Sequence, residues 1–504
     1  MRKTFTIIAA AALLSACSLD EYPYGFFSEG SFYKTEADAQ SATNYIYDAI
    51  NYIEYSRAIV FLGEMNTDAM YPKGDATQAN KELDGWKMNT FRTNTTLYNF
   101  YKYSYITINR ANSVIENVGA MAIDDNLKNR YVGEGYFMRA YSYFCLARNF
   151  GVVPLHLKTV RNLDDTLEPC VESLDALWGQ IFSDLEKAMD LMSIYAVPET
   201  GRTDRVAAWS LAAKAYLYLA SAKEHGAPQY ADMAFDVEDY YAKAALYAGY
   251  VVDNPEQKTY GFSDNLLDIY DVEKPTGPEH IFIMSMDRTG DKEGQYSKIS
   301  KMYIPYVAGG AIYLRQGDSD TFIVTHDGWS EYQTSTDFYN SFETGDLRHD
   351  WLFCSEVYDS KGVVTASLAN GKLPYPFCRK FIDPQYSGDK TSTKPMLIRY
   401  SDVALIYAEA AGPTAKAYEL VNYIRNRAGL APLAAGLSKD DFRQAVWNER
   451  KFELAFEGHL CYDLRRFNLM HTDITAAKEQ GLTAEDMVFY PIPSLETDLN
   501  PYIK

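Results

Sequence analysis

The chain has 504 residues, of which 47% are hydrophobic and 23% charged, a balance that supplies a sizeable core and excludes an intrinsically disordered protein. Its formal charge of −20 comes without clusters of Lys and Arg, which argues against nucleic acid as a partner because phosphate binding rests on such clusters. Beyond the N-terminus no apolar run approaches the roughly 20 residues that cross a bilayer.

The chain opens with Arg2 and Lys3, runs through an apolar stretch from Phe5 to Leu14, and reaches Ser15, Ala16 and Cys17. This is the layout of a secretory signal peptide, too short to be a span. The order Leu14-Ser15-Ala16-Cys17 also resembles the bacterial lipobox, so residues 1–17 are expected to be removed up to a lipidated Cys17. Two or more acyl chains, each buried CH2 contributing about 0.8 kcal/mol, hold a protein on a membrane where one does so only marginally. Asp20 and Glu21 are similar to the acidic export tag of surface lipoproteins. Loss of residues 1–17, which carry Arg2 and Lys3, takes the charge to −22. The other five cysteines, at 145, 170, 354, 378 and 461, are odd in number and lack CxxC spacing, so no disulfide framework is expected. Cys145 is read as a small core residue.

Along the mature chain the period of apolar residues predicts helices. Between Arg130 and Asn149, Val132, Tyr136, Ala140, Tyr143 and Ala147 recur at spacings of four and three, with Phe137, Tyr141 and Phe144 widening the stripe until Gly151 and Pro154. Asp204 then N-caps a helix whose face is Val206, Trp209, Ala213, Tyr216 and Ala220, ending at Lys223, His225 and Gly226. A further helix from about Val237 to Ala248 completes a hairpin. Between about Asn254 and Pro395 the texture turns to Gly, Asp, Ser, Thr and Tyr, with short apolar runs at Ile281 to Met284 and Thr321 to Val324, which predicts loops with a few short strands.

Helices resume with Val403, Ile406, Tyr407 and Ala410 on one face, a break at Gly412-Pro413, and Ala417, Leu420, Val421 and Ile424 on the next, closed by Gly429. Ser438-x-x-Asp441 opens a third helix, expected to run to about Glu457. These antiparallel pairs predict a mainly all-α, tetratricopeptide-like helical-hairpin scaffold, although no clean 34-residue period is visible. The expected organisation is an N-terminal helical region, 18–253, and a second region, 254–504, made of a loop-rich insertion (254–395) and C-terminal helices (396–504), all in one globule.

Several stretches resemble the SusD/RagB family of nutrient-binding outer-membrane lipoproteins. They are Tyr105-Ile-Thr-Ile-Asn-Arg-Ala-Asn112, Arg139-Ala-Tyr-Ser-Tyr-Phe144 leading to Phe150-Gly-Val-Val-Pro-Leu155, and Gly201-Arg-Thr followed by Ala207-Ala-Trp and Ala213-Lys-Ala-Tyr-Leu-Tyr218. Near the C-terminus come Leu397-Ile-Arg-Tyr-Ser-Asp402 with Tyr407-Ala-Glu-Ala410, Asn448-Glu-Arg450 through Glu453-Leu-Ala-Phe-Glu-Gly458 to Asp463-Leu-Arg-Arg466, and Tyr490-Pro-Ile-Pro493 through Glu496 to Asn500-Pro501. Leu460 and Cys461 depart from the Arg and bulky aromatic that family members often carry, and the chain stops soon after Pro501. The resemblance implies capture of oligosaccharides or polysaccharides at the cell surface and delivery to a SusC-like TonB-dependent transporter of the outer membrane. The alternative ligand is a peptide or glycopeptide. Lipid anchorage and surface exposure on the outer membrane belong to the same expectation.

No catalytic constellation accompanies these motifs. The seven histidines form no HExxH or similar pair, and there is no GxSxG elbow, Walker A loop or Rossmann fingerprint. Asp318 and Asp320 start like a calcium loop but the following residues fail the pattern. A binding protein rather than an enzyme is expected, without a cofactor, a structural cation being left open. His459 beside Asp463, Arg465 and Arg466 reads as an ion-pair cluster at a helix end. Phe342, Asp346 and Arg348 look like a structural stretch of the family.

A sugar-binding face needs exposed aromatic rings and planar polar groups. Two loop segments offer both: one from Glu64 to Arg92, and one holding Tyr303, Tyr306, Tyr313, Arg315, Trp329 and Tyr332. The expected ligand residues are Asp68, Tyr71, Trp86, Arg92, Tyr306, Trp329 and Tyr332. Trp209 and Trp447, on helical stripes, are assigned to the core.

Overall fold

Helices begin where a side-chain oxygen meets the N–H groups that a first turn leaves free. In the computed structural model, which describes residues 32–307 and 310–503, Thr35 opens Glu36–Asn51 with a capping box, and Asn94, Asp124 and Ser173 open Thr95–Ser113, Asp125–Phe150 and Leu174–Leu191. Asp204 accepts hydrogen bonds from the backbone of Val206 and Ala207 at 3.0 and 3.1 Å and starts Arg205–Glu224; Asp236 starts Val237–Val252. Caps of this kind contribute about 1 kcal/mol each. The last of these helices runs one turn beyond the predicted Ala248 because Val251 and Val252 are also buried. Cys17, Asp20 and Glu21 lie outside the described residues.

Each helix packs on its successor from Thr95–Ser113 through Val237–Val252, and that helix packs in turn on Tyr400–Ala411, so the helical stack continues past the intervening loops. Tyr400–Ala411 contacts both Ala415–Arg427 and Lys439–Glu453. The buried Ala207, Ala208, Ala212 and Ala215 let neighbouring backbones come close. The fold is mainly α-helical, as the periodicity predicts, and one core cluster draws on residues from Ala39 to Tyr490. Cys145 lies in that core, and the five described cysteines are free thiols.

The strands are short: β1 Met70–Pro72, β2 His280–Ile283, β3 Ala311–Arg315, β4 Phe322–His326, β5 Tyr332–Thr334, β6 Phe353–Cys354, β7 Glu356–Tyr358, β8 Val364–Ser367, β9 Phe377–Cys378 and β10 Met396–Arg399. All pair antiparallel, as β1 with β5, β10 with β2, β6 with β9, and a four-stranded sheet in the order β4-β3-β7-β8. The β10–β2 pair clamps the two ends of the loop-rich segment together directly before Tyr400–Ala411.

One boundary differs from expectation. The helix opened by Ser438 ends at Glu453 rather than near Glu457, because the chain turns sharply through Phe456 and Gly458, both at positive φ. The cause is tertiary: a Cβ on Gly63 would lie 2.3 Å from the carbonyl carbon of Gly458, so the two backbones touch and a continuing helix has no room. The turn is held by the Glu64 carboxyl group, one oxygen of which accepts the N–H groups of Gly458 and His459 at 2.9 and 3.0 Å.

Around this turn a buried ionic network ties the loops to the helices. Arg399 meets Glu279, Glu453 and Glu457 at 2.9, 2.8 and 2.7 Å; Lys380 meets Glu457 at 2.7 Å; Arg348 meets Asp346 and Glu449 at 2.7 and 2.6 Å. Arg427, Arg399 and Arg348 around Glu453 hold its carboxyl well below the usual carboxylate range against the effect of burial. Removing one partner of such a network strands the others and costs about 3–5 kcal/mol. Asp346 and Arg348 are therefore structural. So is His459, whose ring is driven down to about 3 by burial and by Lys214, and is thus neutral beside Lys214, 3.2 Å away.

Candidate functional site

The segments that carry three of the aromatic residues predicted for ligand contact are joined where β1 and β5 meet the turn 328–330. β1 pairs with β5 in the register Tyr71↔Gln333 and Pro72↔Tyr332, and the Lys73 N–H donates to the Glu331 carbonyl at 3.1 Å. The turn sits on the end of the helix Ile299–Tyr303: the N–H of Trp329 donates to the Lys301 carbonyl at 2.6 Å, that of Ser330 to Ile304 at 3.1 Å, and that of Gly328 to Pro305 at 3.1 Å. Tyr306 is fixed in turn, its N–H donating to the Ser330 hydroxyl at 2.9 Å. Backbone hydrogen bonds thus connect the segments that carry Tyr71, Tyr306 and Trp329, whose side chains are 42%, 65% and 36% exposed.

We call this surface the shelf. Its backbone is predetermined at one point: a Cβ on Gly328 would fall 1.6 Å from the Ile304 carbonyl oxygen, so only glycine allows the turn to lie this close. Charged groups border it. Lys73 is paired with Glu331 at 3.3 Å and with Asp75 at 3.7 Å, and Lys301 with Asp389 at 3.1 Å and Asp327 at 3.6 Å. Aromatic faces with planar polar groups beside them are what a sugar ring needs, since its C–H face stacks and its hydroxyls take paired hydrogen bonds. In the sequence nothing but loop polarity marks Lys73, Asp75 and Glu331.

Four of the seven expected ligand residues are placed otherwise. Trp86 is 1% exposed; its indole N–H donates to the Asn66 carbonyl at 2.9 Å and its ring stacks on Tyr490 at 5.8 Å, so it packs the loop down and presents no face to a ligand. Tyr332 is 3% exposed, edge-on to Phe61 at 4.0 Å and to Tyr303 at 5.3 Å, and forms the floor beneath the shelf rather than its surface. Asp68 is exposed, but its carboxylate is committed to the start of the helix Thr475–Gln480, accepting the Thr475 N–H at 3.0 Å and its hydroxyl at 2.6 Å. Arg92 is exposed on the turn Met88–Thr93, which packs on the helices Gln78–Asp84 and Ser494–Leu499. Tyr71, Tyr306 and Trp329 remain as the exposed set that the fold connects.

Among the described residues no group of His, Cys, Asp and Glu side chains is arranged to hold a metal ion. The Ser300 hydroxyl lies 3.1 Å from the His326 ring, and both residues are buried.

Comparison with known proteins decides the family. Residues 278–504 match the family model described as the SusD family, and residues 27–217 match a second one described as starch-binding, associating with the outer membrane. The chain belongs to the SusD family. A SusD-like protein of Formosa agariphila, P2, is 26% identical over 92% of this chain and 90% of its own length. Among solved structures, a SusD homologue from Bacteroides thetaiotaomicron superposes with a TM-score of 0.74 at 21% identity, covering 95% of this chain and 98% of the other. A laminarin-binding SusD-like protein superposes at 0.73 with 21% identity, covering 94% and 99%. At that identity the superpositions establish a shared SusD fold. They also agree with a mainly helical scaffold.

Proposed function

We propose that this SusD-family chain captures glycans at the cell surface and hands them to a TonB-dependent transporter of the outer membrane, acting as a binding protein and not as an enzyme. The observation that carries the reading is the shelf: three exposed aromatic side chains on segments tied together by backbone hydrogen bonds, in a protein whose other large aromatics are mostly in the core. A preformed platform of this kind binds without ordering a loop first, which lowers the entropic cost of association. The likeness to a laminarin-binding SusD-like protein supports a glycan as the ligand class.

Hand-over to a transporter requires release, so dissociation constants in the micromolar to millimolar range are expected, roughly −8 to −4 kcal/mol. The lipobox-like sequence supports anchorage through Cys17, and the division into residues 18–253 and 254–504 of one globule is part of the same reading. A calorimetric screen of residues 18–504 against soluble polysaccharides, oligosaccharides and peptides tests it. Saturable heat with a glycan is the expected result; heat with peptides alone would move the ligand class to peptides, and product formation by the purified protein would make it an enzyme.

A further inference from the structure

The β3–β4 hairpin has two ends with different surroundings. Its open end, where Ala311 pairs with His326, adjoins the shelf, since the Asp327 N–H donates to the Gly310 carbonyl at 2.8 Å. Its closed end, beyond Arg315 and Phe322, forms one wall of a cavity of about 870 Å³. At about 3.3 Å per residue the hairpin keeps the two some 15 Å apart. The volume lies within the range of roughly 300–1,000 Å³ typical of ligand clefts.

The cavity wall contains a cation without an acid. The Arg379 guanidinium is 5% exposed, yet it donates only to neutral acceptors, the Arg315 carbonyl and the Gln316 side-chain oxygen, the latter at 3.0 Å. No carboxylate lies within ion-pairing distance of it among the described residues, although a guanidinium stays charged when buried and buried charges are as a rule paired. Carboxylates do line the cavity elsewhere, engaged with partners other than Arg379: Asp264 accepts the Tyr423 hydroxyl at 2.6 Å, Asp268 and Asp271 pair with Lys274 at 2.8 and 3.8 Å, and Asp318 accepts the Trp351 indole N–H at 3.1 Å. Each keeps spare lone pairs, because a carboxylate has about four acceptor sites. The Trp351 ring adds an aromatic wall.

This arrangement selects by exclusion. An anionic ligand reaching Arg379 meets four carboxylates, and a cationic ligand drawn to the carboxylates meets a guanidinium without an acid partner. A hydroxyl accepts from one wall and donates to the other. We propose that this cavity is a second binding site for a neutral polyhydroxylated ligand, a short oligosaccharide, with Arg379 donating to its hydroxyls and the aspartates accepting from them. The site uses none of the shelf's residues and shares with it only the class of ligand.

The test is calorimetry on residues 18–504 in a background that disables the shelf, Tyr306→Ala with Trp329→Ala, using maltohexaose, laminarihexaose and xylohexaose as neutral probes, a galacturonic acid hexamer as the anionic one and a chitosan hexamer as the cationic one. At least one neutral hexamer should bind this background saturably. Both Arg379→Met and Ser319→Trp, which closes the mouth from an exposed turn position, should weaken that binding by about tenfold or more. The Ser319 variant keeps the test decisive should the Arg379 variant fail to fold. Silence of all three neutral probes, binding that survives Ser319→Trp, or a preference for either charged hexamer would overturn the proposal. Failure of the shelf reading is separate, and shows as a shelf variant whose isotherm matches the wild type.

Discussion

Gly328 lies against the carbonyl of Ile304 so closely that a methyl group on it would fall 1.6 Å from the oxygen. That contact seats the turn carrying Trp329 on the segment leading to Tyr306, and so sets the spacing of the shelf's rings. Gly328→Ala must push the two segments apart. Ligand affinity is expected to fall about tenfold or more, because a misplaced ring loses its stacking. Titration of the variant with the glycan that binds the wild type, beside a thermal melt, checks this; unchanged affinity would mean that the turn does not position the binding surface.

Trp86→Ala is expected to act on stability and not on binding. The ring is buried between Phe91 and Tyr490, and its N–H is spent on Asn66. Emptying such a site costs about 3–5 kcal/mol. Denaturant unfolding should show the loss, while the folded fraction binds glycan with wild-type affinity. Weakened binding in fully folded variant protein would restore Trp86 to the site.

Glu64 gives the protein a pH-dependent term. Burial pushes its carboxyl up to about 8, against the pull of the His459 and Gly458 N–H groups. The unfolded value is about 4.3, so between these limits the folded chain holds a proton that the unfolded chain has released, and stability falls as pH rises. The contribution is fully present below the unfolded value and is lost as pH climbs through about 8. Glu64→Gln has no such charge. Its stability relative to wild type should grow between pH 5 and pH 9 by something on the order of 1–3 kcal/mol. Parallel pH profiles in urea unfolding would rule this out.

Cys17→Ala should move the protein from the membrane fraction to the soluble one, since it removes the thiol that would carry the proposed lipid anchor. Fractionation of cells carrying the variant reads the outcome. Retention on the membrane without the lipid would count against the anchor.

The helical scaffold was legible because its signals are local. Asp204, Ser438 and the Gly412-Pro413 break each lie within a few residues of the helix end they define. The stop at Glu453 was not, because it depends on Gly63 meeting Gly458 across the fold. The same distinction runs through the site. Trp86 and Trp329 both follow a glycine in polar loops, and only distant partners, Tyr490 for one and Ile304 through its neighbour Ser330 for the other, make one buried and one exposed. Asp68 is likewise claimed by Thr475, far along the chain. For Tyr332 a local signal did exist. In β5 Tyr332 and Thr334 point inward and Gln333 outward, and the alternation of a short strand already assigns Tyr332 to the buried face.

Tyr306 and Trp329 are expected to carry glycan binding on the shelf. The most direct measurement is a calorimetric titration of wild type and of Tyr306→Ala with Trp329→Ala, using the glycan that the screen identifies, on proteins shown to melt alike. The shelf's binding event should be lost or weakened about tenfold or more, a change of about 1.4 kcal/mol or greater. An isotherm that superimposes on that of the wild type would contradict the account.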